Sequence, residues 1–149
     1  MKDSRVGSNG VLGFVVLMLL EWGILLDLFI EPVFLLPALF VMPIISRLMM
    51  TGAIALYPYA REEGMGKAFA KYTDARTVVC AVVITLLLIL PFGLPAVAAL
   101  VVSVLFTAFF ANFATKKLGG LTGDVYGAIT TLNEGLVLLS FLVSTAVLR

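Results

Sequence analysis

The sequence predicts an all-α membrane protein, a polytopic bundle of about five transmembrane helices that forms a single unit over residues 1–149. Two observations predict this class. The first is composition: 62% of the 149 residues are hydrophobic and 13% are charged, whereas soluble domains are roughly 45–50% apolar and about 25% charged. The second is that the apolar residues form runs of about 20, the length that crosses a bilayer. A soluble globular domain, a disordered tail and a nucleic-acid-binding module are therefore excluded.

The predicted spans lie at about 11–30, 33–59, 77–91, 95–115 and 125–148. The first continues beyond Trp22 without a small-residue cleavage site, so we interpret it as a spanning helix and not as a signal peptide. Its acids, Glu21 and Asp27, are expected at the membrane interface and receive no assigned role. The third and fourth spans share one uncharged stretch, which the segment Pro91-Phe92-Gly93-Leu94-Pro95 divides as a turn.

The basic residues predict the orientation of the chain. In a five-span arrangement, eight of the ten lysines and arginines lie on one side: Lys2, Arg5, Arg61, Lys67, Lys71, Arg76, Lys116 and Lys117. Arg149 lies on the other side, and Arg47 lies within the membrane. The positive-inside rule therefore predicts a multi-pass protein of the plasma (inner) membrane, with the N terminus and the polar loops cytoplasmic and the C terminus outside.

The composition also limits the available chemistry. The chain has no histidine, which removes the commonest general base and the usual zinc and iron ligand. Its single cysteine, Cys80, lies in an apolar run and cannot form an internal disulfide.

The segment before the last span carries the strongest local signal for a site. It reads Lys116-Lys117-Leu118-Gly119-Gly120-Leu121-Thr122-Gly123-Asp124. Glycines allow a backbone to approach a ligand closely, and the N–H groups of a helix N terminus attract anions. One interpretation is a phosphate or metal–phosphate cradle beside two lysines. The other is an ordinary helix start that is capped by Thr122 or Asp124.

Glu134 lies inside the last span, ten positions after Asp124. On a helix it lies about 15 Å deeper, with the two carboxylates about 80° apart around the axis. An acid within a span usually faces a charged partner or a wet cavity. Glu134 therefore either pairs with Arg47 of the second span or orients a lysine, a metal-bound water or a substrate hydroxyl.

Two further polar clusters belong to the same predicted face. Arg61 is suited to bidentate phosphate binding, and Glu62 and Glu63 offer the oxygen ligands that Mg²⁺ prefers. The alternative for this cluster is a solvated loop. The second cluster is open to the same two interpretations and is formed by Lys2, Asp3, Ser4 and Arg5.

Three strings of the chain resemble the cobalamin synthase family: KDSRVGSNG at 2–10, YPYAREEGMGKAF at 57–69 and GGLTGDVYGAITTLNE at 119–134. They occur in the family's order and with about its spacing, and the resemblance covers nearly the whole chain. Members of this family are adenosylcobinamide-GDP ribazoletransferases, integral membrane enzymes of vitamin B12 assembly. The resemblance implies a Mg²⁺-dependent reaction that joins adenosylcobinamide-GDP to α-ribazole or its 5′-phosphate and releases GMP.

Together with the residue patterns, the resemblance gives the expected site residues. The expected catalytic residues are Asp124, Glu134 and Asp3. Substrate and phosphate binding is expected at Lys2, Arg5, Arg61, Lys116, Lys117, Gly119, Gly120, Thr122 and Gly123. The expected metal ligands are Asp124, Glu62 and Glu63. The sequence leaves open which of these acids is a metal ligand and which is the general base.

The resemblance also implies how the chain relates to the family. Members carry an upstream acidic motif of the type Asp-Gly-x-x-Asp-x-x-Asp, the expected main magnesium site, and this chain has no such string. We therefore expect the chain to correspond to the C-terminal part of the family's domain, with a separate N-terminal half as an expected partner. Two other functions remain open: a small transporter that uses Arg47 and Glu134 as an intramembrane site, and an accessory membrane subunit without catalysis of its own.

Overall fold

A computed structural model describes residues 8–60, 69 and 72–147 of the chain. The described helices are α1 (Ser8–Phe29), α2 (Pro32–Leu56), α3 (Ala75–Ile89), α4 (Gly93–Leu118) and α5 (Gly123–Val147), with a 3₁₀ turn (Leu90–Phe92) between α3 and α4. Within these ranges β pairing is limited to one isolated bridge between Tyr59 and Leu121. The predicted all-α class is confirmed.

Among the described residues, four helical stretches are long and apolar enough to cross a membrane: Gly10–Phe29, Pro32–Leu56, Ala75–Leu118 and Gly123–Val147. These spans make the chain a multi-pass membrane protein.

The third of these stretches, Ala75–Leu118, is folded back on itself. Gly93 has φ +69° and ψ −151°, outside the helical region, and it interrupts the stretch. Val78 of α3 and Thr107 of α4 line one cavity of about 220 Å³ against α2, although a straight helix would separate them by about 44 Å. The chain therefore reverses between α3 and α4 within the predicted turn, and the architecture agrees with about five passes.

Two of the helix ends that differ from the predicted bounds have local explanations. The second span was expected to reach residue 59, but α2 ends at Leu56 because Tyr57 is extended (φ −121°, ψ 144°) before Pro58. The fourth was expected to end at 115, but α4 continues through Lys116 and Lys117 to Leu118. Basic side chains in a last turn interact favourably with the negative end of the helix dipole.

Helices α2 and α5 form the most extensive helix pair, and α4 packs beside both. The buried face of α4 consists mainly of small residues: Ala96, Ala99, Ser103, Thr107, Ala111 and Ala114. Small side chains allow membrane helices to approach closely. Buried Asn133 of α5 then donates to the Thr107 hydroxyl at 2.9 Å and to the Ile129 carbonyl at 2.7 Å, which fixes the register between α4 and α5.

Asp74 is the N-cap residue of α3 and lies outside the membrane-spanning part of the chain. The Asp74 carboxylate accepts from the Thr77 N–H at 2.8 Å and from the Thr77 hydroxyl at 2.7 Å. These hydrogen bonds favour the ionised form and lower the pKa of Asp74 from its ordinary value. The cap fixes where the short third helix starts.

Candidate functional site

The loops that follow α2 and α4 are joined by a pair of backbone hydrogen bonds. The Leu121 N–H donates to the Pro58 carbonyl at 2.8 Å, and the Ala60 N–H donates to the Leu121 carbonyl at 2.8 Å. Tyr59 and Leu121 thus form a short parallel bridge. We call residues 57–60 and 119–122 the loop clasp. It places two of the three strings that carry the family resemblance side by side at one end of the bundle.

Gly120 makes the close approach of the two loops possible. A Cβ atom at this position would lie 2.7 Å from the Pro58 oxygen and 2.8 Å from the Ala60 nitrogen. No side chain fits there without separating the loops. Gly119 has φ +77° and ends α4, with its N–H donating to the Thr115 carbonyl at 2.9 Å. Both glycines therefore have structural roles in the clasp, and phosphate binding by them stays a prediction.

Aromatic and amide side chains reinforce the clasp. The rings of Tyr59 and Tyr126 stack with centroids 6.3 Å apart and an interplanar angle of 19°. The Tyr57 hydroxyl accepts from the Asn112 amide at 3.1 Å, and that amide also donates to the Ala108 carbonyl at 2.7 Å. The end of α2 is thereby attached to both α4 and α5. Sequence reasoning did not identify Tyr59, Tyr126 or Asn112, although the Tyr-Pro-Tyr string was a usable signal.

The first turn of α5 carries the predicted residues Thr122 and Asp124. The Thr122 hydroxyl accepts from the Val125 N–H at 3.4 Å, and its carbonyl accepts from the Tyr126 N–H at 3.0 Å. The capping interpretation of Thr122 is therefore confirmed. Asp124 is exposed in the first turn, where a carboxylate is favoured by the positive end of the helix dipole.

Two lysines occupy the neighbouring end of α4. Lys116 and Lys117 are exposed in its last turn, and the Lys117 Nζ lies 4.7 Å from the centroid of the Phe113 ring. The clasp thus brings two cations and one carboxylate to the same end of the bundle. This combination suits an anionic ligand that is held by lysines while a carboxylate handles a proton or a cation.

A second polar region lies within the membrane-spanning part of the bundle. Arg47 Nη1 donates to Glu134 Oε1 at 3.1 Å and to the Ser46 hydroxyl at 3.4 Å. The Ser46 hydroxyl also donates to the same Glu134 oxygen at 3.2 Å. The Arg47 side chain is 57% exposed and that of Glu134 is 23% exposed. Of the two roles open to Glu134, the pair with Arg47 is the one that the structure contains.

Glu21 belongs to this region, which contradicts the prediction that it is interfacial. A Cβ atom on Gly135 of α5 would lie 3.3 Å from Glu21 Oε1, so the carboxyl group packs directly against that helix. The prediction failed because depth along a span does not reveal which face of the helix meets a neighbour. We call Glu21, Ser46, Arg47 and Glu134 the intramembrane cluster.

The structure does not place all the predicted site residues together. Glu134 lies about 15 Å along α5 from Asp124 and outside the clasp. Other candidates lie outside the described residues: Lys2, Asp3, Arg5, Arg61, Glu62 and Glu63. The described part of the chain brings together no group of three or more Asp, Glu or Cys side chains that could hold a metal ion. These residues alone do not fit a magnesium site.

Comparison with known proteins agrees with the resemblance seen in the sequence. The family model described as cobalamin-5-phosphate synthase matches residues 1–142. Curated relatives named adenosylcobinamide-GDP ribazoletransferase include the proteins of Caldanaerobacter subterraneus subsp. tengcongensis, 37% identical over 147 residues, and Desulfitobacterium hafniense, 36% identical over 143. The relative from Clostridium acetobutylicum is 32% identical over 142 residues.

These alignments cover 95%, 93% and 94% of this chain, respectively, and 56% of each relative. The chain therefore spans about half the length of the curated relatives it matches. No solved structure matches it.

Proposed function

The chain belongs to the cobalamin-5-phosphate synthase family, and we propose on that basis that it forms part of a membrane transferase of vitamin B12 assembly. The proposed reaction joins adenosylcobinamide-GDP to α-ribazole or its 5′-phosphate, as the name of the relatives indicates. The relatives extend well beyond their match with this chain, and residues equivalent to that further portion are expected to complete the enzyme. A separate N-terminal half is one source of them.

The proposed step is a phosphoryl-type transfer. A hydroxyl oxygen of α-ribazole attacks the phosphorus that is joined to cobinamide, and a new P–O bond forms. The bond from that phosphorus to the bridging oxygen breaks, and GMP leaves with the electron pair. The hydroxyl proton passes to a base. Such transfers depend mainly on positioning and on neutralising the charge of the phosphate groups.

The single observation that carries the proposal is the loop clasp. It joins two family strings by backbone hydrogen bonds and places exposed Lys116, Lys117 and Asp124 at one end of the bundle. In the proposal the lysines hold oxygens of the GDP group, and Asp124 accepts the proton or contributes to a magnesium site. Arg61, which directly follows the clasp, is proposed to hold a further phosphate oxygen.

We propose that the clasp faces the cytoplasm, where nucleotide substrates are available. The charge distribution supports this orientation, since most basic residues are on that side. A tag placed after Arg149 is then accessible only from outside intact spheroplasts. Labelling of that tag from the cytosol alone contradicts the orientation.

The transfer reaction is tested by reconstitution in liposomes. The chain is supplied with adenosylcobinamide-GDP, α-ribazole 5′-phosphate and Mg²⁺, with and without the portion of the Clostridium acetobutylicum relative that lies outside the match. We expect cobamide and GMP to form in equal amounts when both parts are present, and to disappear when Mg²⁺ is chelated. No product from the complete pair contradicts the proposal, and substrate flux without any product favours the transporter interpretation.

A further inference from the structure

The cavity between α2, α3 and α4 is apolar and reaches the loop clasp. It has a volume of about 220 Å³, and its lining includes Tyr57, the first residue of the clasp. Most of its wall is aliphatic and includes Leu48, Met49, Ala53, Val78, Val82 and Val104. The buried residues of α3, Thr85 and Ile89, lie in the half nearer the turn. The cavity therefore lies beside the half of α3 that packs less tightly.

The polar side chains of this wall already have hydrogen-bond partners. The Thr107 hydroxyl accepts from the Asn133 amide at 2.9 Å. The Tyr57 hydroxyl accepts from the Asn112 amide at 3.1 Å and donates to the Ala108 carbonyl at 3.4 Å. A ligand in the cavity therefore gains apolar contact, and any polar atom that it buries there loses its hydrogen bonds with water.

The size and chemistry of the cavity fit a flat aromatic ring system. An apolar cavity of about 150 Å³ admits a benzene ring and stays free of water, so this cavity has room for two fused rings. Tyr57 provides an aromatic ring against which such a base can pack. Among the proposed substrates, α-ribazole carries a base of this kind, dimethylbenzimidazole, which has no N–H or amino group once it is joined to ribose.

The position of the cavity suits the transfer reaction. Asn112, which binds Tyr57, lies one turn before Lys116 on α4, about 6 Å along the helix axis. A base that occupies the cavity with its ribose at the Tyr57 end therefore places the ribose hydroxyls near the end of the bundle that carries the lysines.

We propose that this cavity is the subsite for the base of α-ribazole and that it selects an apolar base over a purine. An adenine base would bury an amino group and ring nitrogens without partners, which weakens binding. The inference rests on the proposed transferase function and adds to it the part of the chain that recognises the acceptor substrate.

Equilibrium dialysis against the chain in lipid nanodiscs tests the subsite without any transfer. The probes are α-ribazole and the matching α-riboside of adenine. A Cβ on Gly52 meets nothing within 4 Å, so Gly52→Leu adds a side chain to the wall without a backbone collision. Val104→Phe fills the cavity from the α4 side. The matched control is Gly13→Leu, because Gly13 is an exposed residue of α1 and its Cβ position is equally open.

We expect α-ribazole to bind at least about tenfold more tightly than the adenine riboside. Both cavity-filling variants should weaken α-ribazole binding by at least about tenfold, and Gly13→Leu should not change it. In the complete system, the same two variants should raise KM for α-ribazole and leave KM for adenosylcobinamide-GDP unchanged.

Equal binding of the two ribosides, or unchanged α-ribazole binding in both cavity-filling variants, would overturn the proposal. So would a phospholipid that co-purifies with the chain, is lost in Gly52→Leu and is not displaced by α-ribazole, because the cavity then holds an acyl chain. Selective binding with an inactive complete system supports the subsite and contradicts the transferase proposal. Transfer with an unchanged KM for α-ribazole in both variants contradicts the subsite alone, so the two failures are distinguishable.

Discussion

The loop clasp and the intramembrane cluster are both polar, but they are stabilised in different ways. In the clasp, backbone groups pair at 2.8 Å, and Gly120 leaves no space for a side chain. In the intramembrane cluster, side chains pair at 3.1 Å around an arginine that is more than half exposed. The clasp is thus held by backbone pairing between two loops, whereas the cluster is held by side chains that meet between helices.

This difference indicates two separate roles, one in positioning loops and one in selecting which helices pack together. Backbone hydrogen bonds fix where two loops lie and leave the side chains that follow them available for chemistry. Side-chain pairs in a span fix which helix faces meet, because a charged group there usually faces a partner or a wet cavity. We therefore propose that the clasp carries the chemistry and that the Arg47–Glu134 pair fixes the packing of α2 against α5.

Asp124→Asn should give the largest effect and tests whether the clasp is the reactive region. Loss of a group that moves a proton in the transition state costs about 10²–10⁴-fold in rate, so transfer by the complete system should fall by about 10³-fold. Membrane insertion should be unchanged because Asp124 is exposed. The matched control is Asp27→Asn, which alters an exposed acid near the C-terminal end of α1, outside the clasp. A wild-type rate for Asp124→Asn at saturating Mg²⁺ would contradict the assignment.

Arg47→Met should destabilise the bundle by about 1–3 kcal/mol, less than the loss of a fully buried ion-pair partner, because the side chain is half exposed. The variant leaves Glu134 without the cation that pairs with it. Equilibrium unfolding in detergent measures the effect.

Adding Glu134→Gln to Arg47→Met should recover part of the lost stability, because the uncompensated carboxylate is then removed. Purely additive effects of the two substitutions would show that the pair does not stabilise the cluster.

Asn133→Leu should have the smallest effect, about 1 kcal/mol, because hydrogen bonds between membrane helices contribute modestly. It removes the bond to the Thr107 hydroxyl and the register that this bond fixes. The same unfolding experiment measures it, and Thr107→Val removes the same hydrogen bond from the side of its acceptor. The two substitutions should be strongly non-additive, and additive losses would argue against the observed pairing.

Much of the fold follows from the sequence because apolar length and charge position are local properties. The uncharged stretch interrupted at Pro91–Pro95 predicts the reversal between α3 and α4, which the interruption at Gly93 confirms. The Arg47–Glu134 pair was one of the two roles predicted for Glu134, because opposite charges within neighbouring spans usually face each other.

The site was less predictable because it depends on contacts between distant segments. The glycines at 119–120 suggested ligand binding, but Gly120 is required by Pro58 and Ala60, which no local pattern connects with it. Glu21 was misassigned because its partner helix, α5, lies far along the chain. Local chemistry therefore predicted which residues matter and did not predict which neighbours give them their roles.

A comparison of Gly120→Ala with Gly127→Ala tests most directly whether the clasp positions the transfer site. A Cβ at Gly120 collides with the facing backbone, whereas one at Gly127 meets nothing within 4 Å. Amide hydrogen exchange at Ala60 and Leu121 reports whether the bridge is closed, and GMP release by the complete system reports transfer. We predict that Gly120→Ala accelerates exchange and lowers transfer at least about 10²-fold, while Gly127→Ala changes neither. Rapid exchange with unchanged transfer in Gly120→Ala would contradict the account.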